Sequence, residues 1–147
     1  MKKKEFARLL FPRVLIFSVL AMNLQCALIY IFNPLPYMAP FELSGEPGRA
    51  AVIGIGILFV MWQVPYVFAL VHPLRNRRSL VEAVVMQGIG LVGETLLFRT
   101  IPLTNSVLRA SILRFIFFDA GGLFLLIVAA IYIFRLLKSK KGELHAD

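Results

Sequence analysis

The stretch Ser79–Phe98 reads SLVEAVVMQGIGLVGETLLF. It is apolar enough to cross a bilayer, yet it carries Glu82, Gln87 and Glu94. Placed on a helix at about 100° per residue with Glu82 at zero, Gly93, Met86, Gly90, Ala83, Glu94 and Gln87 fall between about 20° and 140°. Val84, Val92, Val85, Leu96 and Ile89 fall between about 200° and 340°, and only Leu97 intrudes on the first face. In lipid, a polar face built of small residues turns toward other helices and a branched aliphatic face turns toward acyl chains. The stretch therefore reads as the inner, most enclosed helix of a membrane bundle.

Composition agrees with that reading. The chain has 147 residues, of which 59% are hydrophobic and 16% charged, with a mean hydropathy of +0.81. Soluble domains carry about 25% charged residues, so the balance belongs to the membrane class. The length suits a single domain. A net charge of +8 raises nucleic acid as a partner. The basic residues, however, sit at the ends of apolar segments, where they signal topology and anionic-lipid contact instead. The single cysteine, Cys26, excludes an internal disulfide and a cysteine-based metal cluster.

Four apolar stretches stand out at about residues 9–32, 50–71, 80–98 and 115–137. Each has about 19 residues or more, enough to cross a hydrocarbon core of ~30 Å. The first follows Lys2, Lys3 and Lys4, as a signal peptide would, but its apolar run is too long for one and reads as a retained span. With the N-terminus inside, one side collects Lys2, Lys3, Lys4, Arg8, Arg13, Arg75, Arg77, Arg78, Arg135, Lys138, Lys140 and Lys141. The other side keeps Arg49, Arg99, Arg109 and Arg114, so the sixteen basic residues divide twelve to four. The positive-inside rule then gives an all-α integral membrane protein, a four-helix transmembrane bundle with both termini in the cytoplasm.

The connections carry their own signals. Asn33–Arg49, with Pro34, Pro36, Pro40 and Pro47, predicts an irregular but stiffened outer loop. His72–Arg78 is short and basic, which makes spans two and three a hairpin with Arg75, Arg77 and Arg78 at the anionic inner leaflet. Thr104 and Asn105 are candidate helix caps. Ser106–Arg114 is open between a short interfacial helix and the first turns of a long fourth span.

Buried polar residues carry what chemistry there is. Counting from the span centres puts Glu94 about 7–8 Å and Asp119 about 9 Å outward of the midplane. Arg99 and Arg114 sit at the matching ends of their spans. Within each helix the acid and the arginine are about 140° apart, so the better pairs cross between helices: Glu94 with Arg114 and Asp119 with Arg99. A bare carboxylate at this depth costs ~2.5–3.5 kcal/mol, so each acid must pair, take a proton or reach water. A salt-bridged clasp is the favoured reading, and a hydrated site for a cation, proton or polar ligand is the alternative. Gln87 and Gln63 share a level and are expected to bond across the bundle, with Asn23 and Gln25 near enough to join them. Pro65 is expected to free the Met61 carbonyl and kink the second span. Trp62, near the midplane, packs in the bundle or against a ligand, whereas Tyr30, Tyr37 and Tyr132 suit interfacial anchoring. His72 could reach Glu82 in a proton relay, although a headgroup-level polar residue is the simpler reading.

No paired-histidine metal motif, phosphate loop or serine–histidine arrangement is present, so neither a metal nor a cofactor is expected. The expected function is non-enzymatic. The chain reads as a ligand-binding, transport-related or complex-subunit protein of the cytoplasmic membrane, with membrane lipids, a second copy or another membrane protein as partners. The alternative is a membrane enzyme using Glu94 and Asp119 as acid and base. The two divide on geometry: a site needs a cavity between the acids, whereas a clasp needs arginines filling that space.

Overall fold

Long runs rich in Leu, Ile, Val, Phe and Ala fold here as helices that pass without a break through Pro12 and Pro65. A computed structural model describes the backbone of residues 3–102 and 104–144 and the side chains of residues 7–102 and 104–139. Lys2, Lys3, Lys4, Lys140 and Lys141, counted above for orientation, and His145 lie outside the described side chains. The long helices are α1 (Lys3–Phe32), α3 (Gly45–Val71), α4 (Arg77–Thr100) and α5 (Ser106–Leu144). A four-residue helix α2 (Leu35–Met38) and a 3-10 turn at Ala39–Phe41 join α1 to α3. The described residues contain no strand. All four long helices are long and apolar enough to cross a membrane. Even α4, with 24 residues, runs about 36 Å at 1.5 Å per residue.

Two helix starts correct the expected boundaries. Arg49 and the four residues before it belong to the first turn of α3 rather than to an irregular loop. Ser44 is extended (φ −142°, ψ 161°) and Gly45 takes a left-handed φ of 65° that glycine adopts without strain, so the chain turns sharply into the helix. Pro47 is tolerated because first-turn N–H groups have no partner within the helix, and Glu46 faces the positive end of the helix dipole. At α5, Asn105 is the cap: its Oδ1 accepts from the N–H groups of Val107 at 2.9 Å and Leu108 at 3.2 Å. Ser106–Arg114 therefore forms the opening turns of a 39-residue helix.

The helices form a square in which α1 packs on α3 and α5, and α4 packs on the same two. Consecutive long helices are neighbours and run antiparallel. Packing is most extensive within the pairs α1/α3 and α4/α5 and sparsest between α3 and α4. Gly56 explains part of the first pair, since a Cβ there would lie 2.8 Å from Ile31 Cγ1 and 2.9 Å from the Ala27 carbonyl oxygen. This pairing overturns the expectation that the third apolar stretch is the most enclosed. Only 17% of its apolar window is buried, against 22–28% in the other three. Its faces nevertheless follow the sequence: Leu80, Ala83 and Gln87 are buried, while Val85, Ile89, Val92 and Leu96 are exposed.

Two cores divide the bundle lengthwise. At the end carrying the termini, Leu9 and Ile16 of α1, Ala69 of α3, Leu80 of α4, and Leu126 and Ile133 of α5 are fully buried together. The His72–Asn76 turn closes this end, with Asn76 Nδ2 donating to the Phe68 carbonyl at 2.8 Å and Arg13 Nη2 to the Val71 carbonyl at 2.7 Å. At the opposite, loop end a smaller cluster forms around Tyr30, Met38 and Val52. Tyr30, expected at an interface, is instead 4% exposed, with its ring 4.5 Å from that of Tyr37 and 5.8 Å from that of Phe59. Asn105 Nδ2 donates to Glu42 Oε1 at 3.0 Å, tying the two loops of that end together.

Candidate functional site

Between the two cores each long helix contributes one polar side chain to a hydrogen-bonded chain centred on Gln87 of α4. Its Oε1 accepts from Tyr66 Oη of α3 at 2.6 Å and from Asn23 Nδ2 of α1 at 3.4 Å. Its Nε2 donates to Asp119 Oδ1 of α5 at 2.8 Å. The amide is 4% exposed, so water does not compete strongly for these bonds. Two glycines make room for the chain. A Cβ at Gly122 would lie 2.8 Å from Gln87 Nε2, and one at Gly90 would collide with the Asp119 carboxyl group. Asp119 thus rests on the bare backbone of α4, one turn from Glu94.

Beside this chain lies a partly open cavity of about 410 Å³, within the ordinary range for small-molecule sites. All four long helices line it. Its polar rim is Asn23, Gln63, Gln87, Glu94 and Asp119, and its walls include the rings of Phe59, Trp62, Phe115 and Phe118. A second, more apolar pocket of about 180 Å³ toward the loop end shares Phe59, Glu94, Leu97 and Phe115 with it.

Gln63 is 6% exposed, and its Nε2 donates to the Phe59 carbonyl at 2.8 Å within its own helix. That bond fixes the amide orientation and leaves Oε1 buried with no hydrogen-bond partner. Glu94 Oε2 is likewise buried without a partner. A buried acceptor left unmade costs about 1–3 kcal/mol, so these two oxygens mark where the cavity can receive a hydrogen-bond donor, whether water or a ligand.

Four of the six residues singled out from sequence, Gln63, Gln87, Glu94 and Asp119, meet on this cavity. Arg99 and Arg114 do not: both are exposed, outside the lining, and among the described residues neither forms an ion pair with Glu94 or Asp119. Long flexible guanidinium side chains at helix ends reach outward more cheaply than they desolvate beside a carboxylate. The expected Gln87–Gln63 bond is also absent, because Tyr66 and Asp119 satisfy Gln87 and the Phe59 carbonyl takes the Gln63 donor. Gln25 is exposed and stays outside the chain, whereas Asn23 joins it.

Tyr66 is the functional-site residue that sequence reasoning missed. It lies one turn from Gln63 on the same face of α3, and a phenol deep in an apolar helix needs a partner for its hydroxyl, which was the available signal. His72 is engaged locally, its Nδ1 accepting from the Arg75 N–H at 3.4 Å, while Glu82 is exposed. Among the described residues, no three His, Cys, Asp or Glu side chains converge where a metal ion could sit. Compared with known proteins, the chain matches no family model, no curated relative and no solved structure.

Proposed function

We propose that this chain is a non-enzymatic ligand-binding protein of the cytoplasmic membrane, with its ligand held in the cavity between the four spans. The observation that carries the reading is the cavity itself: Glu94 and Asp119 line it, and the arginines that would make them a clasp do not. The cost of a carboxyl group at this depth is then a functional cost rather than a folding device. Both termini and the basic His72–Asn76 turn lie on the cytoplasmic side, since Arg8, Arg13, Arg75, Arg77, Arg78, Arg135 and Lys138 gather at that end. Exposed Arg75, Arg77 and Arg78 meet the anionic leaflet there. A transport role, or work as a subunit beside another membrane protein or a second copy, is compatible with the same site.

Cys26, the only thiol, lines the cavity and tests the reading directly. In native membranes N-ethylmaleimide should alkylate it, and Gly93→Leu at the cavity mouth should slow that reaction at least fivefold. A Cys26 that reacts only after SDS unfolding would mean a closed core and would sink the ligand-site reading.

The enzymatic alternative has one observation in its favour, the unequal surroundings of the acids. Asp119 accepts a hydrogen bond from Gln87, whereas Glu94 Oε2 has no partner, and acid–base pairs need such asymmetry. It requires a reaction whose turnover falls in both Glu94→Gln and Asp119→Asn while substrate still binds.

A further inference from the structure

We infer that the cavity takes an apolar organic cation, a lipophilic amine or onium ion, admitted sideways between α3 and α4. The inference rests on the ligand-site reading and names the ligand's chemistry. The buried polar atoms of the lining that have no partner are both acceptors. Gln63 Oε1 and Glu94 Oε2 are buried with no partner, and only one oxygen of Asp119 takes the Gln87 amide. The hydrogen-bond chain at the wall directs the Tyr66 hydroxyl and one N–H each of Asn23 and Gln87 to its own members. An anion would meet two carboxyl groups with Arg99 and Arg114 outside the lining, and a neutral ligand would bring no charge to oppose theirs.

The remaining wall decides between kinds of cation. Hard metal ions want six or more oxygen ligands, and the described residues offer no cluster of three acidic, His or Cys groups. Phe59, Trp62, Phe115 and Phe118 instead present ring surface, which attracts a diffuse organic cation and solvates its apolar groups. The route proposed for it runs between α3 and α4, which pack less extensively than the pairs α1/α3 and α4/α5. Trp62 is 43% and Ile89 61% exposed there, and a Cβ at Gly93 would meet nothing within 4 Å. That side of the bundle faces acyl chains in the proposed orientation, so the ligand arrives from the bilayer rather than from water.

Tetraphenylphosphonium and tetraphenylborate have the same shape and opposite charge, and Trp62, the only tryptophan, reports from the cavity wall. In phosphatidylcholine nanodiscs, tetraphenylphosphonium should quench Trp62 saturably and at least tenfold more tightly than the borate. Glu94→Gln and Asp119→Asn should each weaken the cation tenfold or more, and Gly93→Leu, which keeps both carboxyl groups, should block quenching in a protein of unchanged melting temperature. Equal binding of the two ions, or cation affinity retained in both carboxyl variants, overturns the proposal while leaving a ligand cavity in place. Absence of saturable quenching also overturns it: with Cys26 still alkylated the ligand-site reading survives, and with Cys26 inert both fall.

Discussion

At the end that carries the termini, Leu9, Ile16, Leu80, Leu126 and Ile133 meet with no exposed surface, while further along the same helices Gln63, Glu94 and Asp119 border about 410 Å³ of cavity. The same four helices build both regions, so the difference lies in side chains and not in topology. Branched aliphatic residues from every helix interlock in the first region. In the second, Gly90 and Gly122 leave room for the Asn23, Tyr66, Gln87 and Asp119 side chains, which hold the helices by hydrogen bonds with space beside them. One region closes the bundle and the other keeps it open.

Truncations should show the largest contrast. Ile133→Ala in the closed region should cost about 2–5 kcal/mol, whereas Phe118→Ala should cost less than about 1 kcal/mol because that half-buried ring borders a partly open cavity rather than a packed core. Equilibrium unfolding in mixed micelles measures both, and similar losses would erase the distinction. A sharper comparison sits within α4. Gly90→Leu drives bulk into Asp119 and should lose about 1–3 kcal/mol, while Gly93→Leu, one turn along at the open mouth, should leave stability unchanged. The smallest effect is a null coupling. A double-mutant cycle on Glu94→Gln and Arg114→Gln should give an interaction energy under about 0.3 kcal/mol, and a coupling above 1 kcal/mol would restore the clasp.

The sequence made the architecture legible because helix periodicity and apolar length depend on the backbone alone. The four stretches appear as helices, and α4 buries Ala83 and Gln87 as its pattern requires. Pairwise choices were not legible in the same way. Glu94 and Arg114 look complementary when only depth is known, but Arg114 lies on an exposed face of α5 whose rotation is set by contacts that no periodicity encodes. Enclosure of the third stretch was misjudged for a related reason. A polar face predicts surrounding helices, whereas here part of that face borders a cavity. Tyr66 escaped because tyrosine reads as an interface residue until its neighbour Gln63 places it on the polar face.

The order in which the helices are made sets when the Gln87 hydrogen-bond chain can be completed. Gln87 finds Asn23 and Tyr66 on helices already synthesised, but its other partner, Asp119, follows 32 residues later. Until α5 arrives, the nascent bundle carries an amide N–H with no acceptor, in surroundings where every unmet polar group is costly. A chain that stalls or is cut before Asp119 therefore leaves the Gln87 N–H without the partner that α5 gives it.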